Sequence, residues 1–548
     1  MKRAMAMVLA ALFLAAAGCG KQRKGLEPVP DLPKDQDKPA YGDTVVDAST
    51  ADAINLIPIL ASDGASHAIA GLTYNSLVSY DGTLNLYGDL ADQWEVSPDG
   101  KTMTFHLREG VRWQDGKPLT AEDVLFTYRL IIDPKTPTAY SESYKQVKDA
   151  QVVDPHRIRF TYDKPYCPAM ESWASLSILP KHLLEGKDVT KSPLVRRPMG
   201  TGPYKLNRWI TQNQIVLESN HDYFMGRPWI DRSVTRVIPD TATQFLELKS
   251  GGIEQMSLTP TQWARQTVSK EFLAAFNKYK YPVNAFTYLA FNLRDPRFAD
   301  RRVRQAISYA IDRDEIVKGV LLGLGEPGVG PYVPSTKWFN KNLKPYPHDP
   351  ARAKALLAEA GWKDTNGDGI LDRDGRPFRF EIITNNGNAE RLKTCVIIQQ
   401  RLKDVGIEVS IRPIEWAAFI SDFIDKKRFE ATVLGWSIGL DPDQYDIWHS
   451  SKTKPKELNF ISYKNAEVDA LLEEGRRTCE EVARKKVYDR LQEVMWEDQP
   501  ELFLYVPYAL VTVNRRFHGI EVTPRGIGDR WWNRWYVPKP LQRGQIQP

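Results

Sequence analysis

Strand and helix signals alternate along almost the whole chain beyond residue 41. That alternation limits the fold to a mixed α/β protein. The region 97–128 shows the pattern. Ser97-Pro98-Asp99-Gly100 reads as a turn, after which Met103, Phe105 and Leu107 alternate with Thr104 and His106 in the period of a half-buried strand. Glu109-Gly110 turns the chain, and Val111 and Trp113 predict a second strand up to Asp115-Gly116, so the two runs read as a hairpin. Thr120 to Asp123 has capping-box spacing, with Val124, Leu125 and Tyr128 on the helical face that follows. A helix over 300–318 is predicted from Asp300 as cap and the stripe Val303, Ala306, Ile307, Ala310 and Ile311. Others run from Asp349 and Pro350 to Gly361, over 389–404 before Gly406, and from Glu480 to Glu497 with Val487, Leu491 and Val494 inward.

The N-terminus carries a different signal. Lys2 and Arg3 precede an uncharged run from Ala4 to Ala17, followed by Gly18 and Cys19. A positive start, a short apolar stretch and small residues at the cut predict a secretory signal over 1–18. The run is too short for the ~20 residues a membrane-crossing helix needs. Ala16-Ala17-Gly18-Cys19 resembles a bacterial lipobox with Ala16 in place of the usual leucine, which implies acylation of Cys19 and a lipid anchor in the membrane. Pro28, Pro30, Pro33 and Pro39 lie among charged residues in the next stretch, so 19–41 reads as a tether. Beyond Cys19 the cysteines are Cys167, Cys395 and Cys479, which permit at most one intrachain disulfide and leave its pairing open. A body of this length therefore has to hold by its core, in more than one domain. Net charge is +5, and falls to +3 without Lys2 and Arg3, with acids and bases interleaved; this argues against nucleic acid as a partner.

No catalytic constellation is legible. The eight histidines fall in no close metal spacing, there is no GxSxG elbow, and Gly323 to Gly328 matches GxGxxG only by letter, since it follows a helix and leads to Pro331. The chain reads as no enzyme and as needing no cofactor. One stretch resembles a calcium loop: Asp364, Asn366, Asp368 and Asp372 stand at positions 1, 3, 5 and 9, with Gly369 at 6. Position 12 is Gly375 instead of a bidentate glutamate, so a polar turn is the favoured reading.

Ordered blocks carry a specific resemblance. Ala91 to Trp94, Ser97 to Arg108 and Gly110 to Val124 are followed by Gly200 to Tyr204, Asn220 to Tyr223 with Gly226 to Pro228, Phe291-Asn292, Val303 to Ile307 with Ala310 to Asp312, Ala353 to Trp362, and Gly435-Trp436 with Asp441-Pro442. Over about 42–520 the chain resembles the family 5 extracellular solute-binding proteins, the dipeptide and oligopeptide receptors of ABC importers. The resemblance implies a periplasmic-binding-protein type II fold: two lobes closing by a hinge, plus an extra domain. The implied division is lobe I over 42–80, 199–290 and 515–548, the extra domain over 81–198, and lobe II over 291–514. It also implies an exported, monomeric receptor, periplasmic or at the cell surface. Its partners would be a peptide and a permease with cytoplasmic ATPases. A nickel complex, haem, sugar or opine as ligand remains an alternative within the class, and a secreted hydrolase or a calcium-controlled structural protein outside it.

In peptide-binding relatives the loop after Gly435-Trp436 supplies an aspartate for the ligand's α-amino group. Here the loop is one residue shorter, the aligned place falls at Ile438-Gly439, and the nearest acids are Asp441 and Asp443. Trp436 and Ser437 would stand beside the ligand, with a core position for Trp436 and a turn at Asp441-Pro442 as the alternative. In lobe II the resemblance places a dipeptide receptor's carboxylate-binding arginine between a strand and the next helix. Here that segment offers Asn385 and Asn386, while Arg391 falls further on, in the helix. Amides hold a peptide's middle without fixing its end, so oligopeptides are expected over dipeptides.

Overall fold

A computed structural model of the chain describes residues 26–543; the signal segment, Cys19 and residues 20–25 of the tether lie outside the described residues. Three sheets organise it. In the first, Thr44–Ser49 pairs parallel with Arg232–Val237, which continues antiparallel to Gln214–Ser219 and Tyr204–Ile210. In the second, all antiparallel, the order is Ala91–Val96, Thr102–Leu107, Arg157–Tyr162 and Val147–Asp154. The third has eight strands built around Glu501–Asn514, Ala285–Phe291, Ala431–Ser437, Arg379–Asn385 and Glu408–Ile414.

Alternation along Ala285–Phe291 explains why the third sheet is covered on both faces. Phe286, Tyr288 and Ala290 enter one apolar core, Leu289 and Phe291 the other, and all five are buried. A third core surrounds the fully buried Trp173, stacked on Phe160 at 3.9 Å between ring centres, and reaches back to Ile57, Ile59, Ala70 and Tyr74. The body carrying the antiparallel sheet is thus fused to the one carrying Thr44–Ser49. The glycines of Gly200-Thr201-Gly202 press on the main chain at Thr73, where a Cβ at residue 202 would stand 2.6 Å from the carbonyl oxygen of Leu72.

Glu501–Asn514 runs through two bodies. Its first half pairs with Ala285–Phe291 and its second with Phe276–Pro282. Core membership changes between Phe276 and Phe286, across the break between two strands, and again between Val506 and Leu510, inside one strand. A strand shared by two bodies gives no turn signal for a boundary. Residues 26–41 also lie against the body: the Val29 amide donates to Ala274 O at 3.0 Å, Asp31 pairs with Arg515, and Tyr41 stacks on Trp229 at 4.5 Å.

Local structure corrects two expectations. Thr102–Leu107 does not form a hairpin with 111–115; its partner is Ala91–Val96, and Ser97 to Gly100 is the turn between them. Val111 and Trp113 are buried but bond across a tight turn to Leu119 and Lys117. The helix expected over 300–318 is two, Arg301–Ala310 and Arg313–Gly319, because Asp312 caps the second by accepting from the Glu315 amide. The helices Pro350–Glu359, Ala389–Lys403 and Glu481–Asp498 stand where the sequence predicts them, the first with the expected cap at Asp349.

Candidate binding site

A cleft opens between the body of the first sheet and that of the third. Its main cavity, about 600 Å³, has one wall from Asp47 to Ala51, Thr241, Gln244 and Ser257 to Pro260, and another from Thr287, Asn388, Glu390, Arg391 and Tyr505. A second cavity of about 520 Å³ shares Asp47, Ala68, Ile69 and Thr235 with it. A third of about 410 Å³ shares His67, Ser175 and Ser177 with the second. The three form a chain of adjoining spaces around the helix Gly64–Thr73.

Arg391 is the cation of the main cavity. Asn388 caps the helix Ala389–Lys403 by accepting from the Arg391 amide at 2.9 Å. In a first turn the side chain points back toward the helix N-terminus, and the guanidinium reaches Asn385 Oδ1 at 2.8 Å. It lies over Gly435, where a Cβ would come within 2.9 Å of it. Burial pulls its pKa below the ordinary value, and among the described residues no carboxylate stands within ion-pair distance of it. The segment itself holds no arginine, and Arg391 reaches back to it from the helix that follows. Asn385 positions Arg391 and lines none of the three cavities; Asn386 takes the Gly387 amide and donates its own to Ile414 O.

At the far end, Asp441 and Asp443 do not stand free for an amine. Arg484 binds Asp441 through both its terminal nitrogens, at 2.7 and 2.8 Å, and Arg476 holds Asp443 at 2.8 Å. Trp436 is half-buried against the core: it stacks on Tyr288 at 6.1 Å and donates to Glu501 Oε1 at 3.4 Å. Ser437 is exposed, opposite Ala285 at the end of the strand pair, and lines none of the three cavities. The carboxylates that sequence reasoning missed are Glu171 and Asp446. Glu171 comes from the antiparallel-sheet body. Its Oε1 lies 3.4 Å from where a Cβ of Gly439 would be, and its buried Oε2 has no hydrogen-bond partner among the described residues. Burial, then the charge of Asp441, pushes its pKa above the ordinary value. Asp446 is pushed up to about 6 by burial, against the opposing pull of Lys452 at 3.4 Å. Asp47, midway, is likewise raised by burial and leaves Oδ1 without a partner.

The calcium-like stretch is a closed turn. Asp364 accepts from the amides of Gly367 and Gly369 at 2.7 and 3.0 Å, and Asp372 from the amide and hydroxyl of Thr365. Among the described residues no group of three or more His, Cys, Asp or Glu side chains is disposed to hold a metal ion.

Residues 85–457 match the bacterial extracellular solute-binding proteins, family 5. The chain belongs to that family. Family 5 proteins are solute-binding receptors, and this membership makes the protein an exported receptor of the ABC-importer class with the type II two-lobed fold. It is 33% identical over 544 residues to the oligopeptide-binding protein AppA of Bacillus subtilis, covering 96% of this chain and 97% of that one. The structure of AppA with a nonapeptide superposes with a TM-score of 0.87 at 32% identity, over 92% of this chain and all of the other. DppA from Helicobacter pylori, solved with the peptide STSA, gives 0.82 at 28% identity, over 91% and 99%.

Proposed function

We propose that this family 5 receptor binds oligopeptides along the interlobe cleft and delivers them to a membrane permease. The observation that carries this reading is charge placement: Arg391 faces the main cavity and Glu171 the third, two spaces away, and among the described residues neither stands within ion-pair distance of an opposite charge. A zwitterionic chain laid between them would set its carboxylate on Arg391 and its ammonium on Glu171, assisted by Asp446. Length preference now rests on that separation and not on a missing arginine, because groups in different cavities suit a chain longer than two residues. The likeness to AppA, solved with a nonapeptide, supports the same reading.

Calorimetry with a nonapeptide tests it. Arg391→Gln and Glu171→Gln should each weaken binding about 10- to 100-fold, since charge-assisted hydrogen bonds contribute roughly 1.5–3 kcal/mol. The loss should vanish in Arg391→Gln when the peptide is amidated at its C-terminus, and in Glu171→Gln when it is acetylated at its N-terminus. Affinity should also fall as pH drops below about 6, where Asp446 takes a proton. Variants that bind all three peptides like the parent would remove the proposal.

Membrane attachment through Cys19 is proposed on its sequence context. Intact-mass measurement of the native protein should show acyl groups on an N-terminal Cys19; an unmodified cysteine would end that part of the reading.

A further inference from the structure

Cys167 and Cys479 form a disulfide across a sequence separation of 312 residues. Cys395, the third candidate, is a buried thiol. The bonded pair does not staple two parts of one body. Cys167 stands just before the helix Ala169–Ser175, which carries Trp173 into the core of the antiparallel-sheet body. Cys479 stands just before the helix Glu481–Asp498, whose Tyr488, Leu491 and Met495 belong to the core of the eight-stranded body. Further contacts cross the same seam. The Cys167 amide donates to Arg476 O at 3.0 Å, the Arg476 guanidinium lies 5.7 Å from the Tyr166 ring centre, and Lys452 meets Glu142 at 2.8 Å.

The topology gives this bond its meaning. The antiparallel-sheet body is fused to the first body through a shared core, so the two travel together. Among the described residues the main chain passes between the eight-stranded body and the other two at two places, near residues 282–285 and 506–508. These crossings lie side by side, since Pro282 pairs with Tyr508 and Thr287 with Tyr505. The crossings therefore act as one hinge, and the disulfide is a second, separate point of attachment. A rigid body held at two points can only rotate about the line through them.

We propose that the Cys167–Cys479 disulfide is a covalent clasp: it keeps the seam around the third cavity shut throughout the binding cycle and confines opening to the opposite rim, where Gly387 meets Pro239. A cross-link that removes widely open conformations raises the free energy of the open state, so closure follows ligand binding more readily. Ligand would then be admitted beside Arg391, and the Glu171 end would stay preformed. The clasp depends on which bodies the bond joins and holds whatever ligand the cleft takes.

Hydrogen exchange read by mass spectrometry tests this on the ligand-free full chain. In Cys167→Ser/Cys479→Ser, and in the parent protein reduced with dithiothreitol, amides at 166–176 and 439–447 should exchange at least about tenfold faster. Amides of Arg232–Val237 and Arg379–Asn385, central to the other sheets, should be unchanged. Unchanged exchange at the seam would overturn the proposal. So would equal acceleration in all three sheets, which would make the bond a general stabiliser.

Discussion

Replacing Arg516 by methionine is expected to destabilise the first body by about 3–5 kcal/mol, the usual loss when one partner of a buried ionic cluster is removed. The Arg516 side chain is 2% exposed and lies between the carboxylates of Asp43 and Glu254, at 0% and 1%. Its Nε donates to Glu254 Oε1 at 2.7 Å, one terminal nitrogen to Thr44 O at 2.8 Å, and the other to Asp43. Methionine fills similar space and removes the cation that both buried carboxylates share, leaving Glu254 with the more distant guanidinium of Arg543 at 3.6 Å. Burial already pushes the Glu254 pKa upward, with Arg516 opposing it. Without the arginine Glu254 would titrate further above its unfolded value. The deficit is therefore full at high pH and shrinks as pH falls through the raised value. Urea denaturation at pH 8 and pH 5 checks the size and the sign; a loss below about 1 kcal/mol at pH 8 would show that the cluster is dispensable.

Gly387→Val should abolish closure while leaving each lobe folded. Gly387 has φ +82°, and a Cβ there would stand 2.2 Å from the carbonyl oxygen of Pro239 on the opposite lobe. The contact joins the loop before Ala389–Lys403 to the loop before Thr241–Lys249, at the rim of the main cavity. A side chain would wedge the rim apart, so a nonapeptide should lose affinity by roughly 100-fold or more, as expected when the binding-competent state becomes rare. Gly387→Asn separates wedge from strain, because asparagine tolerates positive φ yet still carries a Cβ. If asparagine restored parental affinity in calorimetry, backbone strain and not steric exclusion would explain the valine variant.

Helix ends were the most legible feature, since caps are local. Asp349, Pro350 and Gly361 bound their helix, and Gly406 follows the end of Ala389–Lys403, through hydrogen bonds and backbone angles set within a few residues. Strand partners were less so: the alternation at Met103, Phe105 and Leu107 announces a strand but not which neighbour it takes, and the partner precedes it. The charges of the site were least legible. Nothing near Asp441 or Asp443 in sequence reveals that Arg484 and Arg476 neutralise them from 43 and 33 residues away. Glu171 reaches the Gly439 loop from another body altogether. Arg391 could have been found, because a first-turn side chain leans toward the residues before its helix.

The strand Thr44–Ser49 has a consequence for how the molecule is made. Its parallel neighbour is Arg232–Val237, and the ionic cluster at its start is completed by Arg516, 473 positions later. A chain synthesised from its N-terminus cannot finish that lobe until almost the last residue has emerged, whereas the other lobe is drawn from one stretch, about 285–506, and needs no distant segment. Long loops must close before their contacts give any return. The strand made first is thus among the last to settle, since it waits for partners that emerge only with the C-terminal end of the chain.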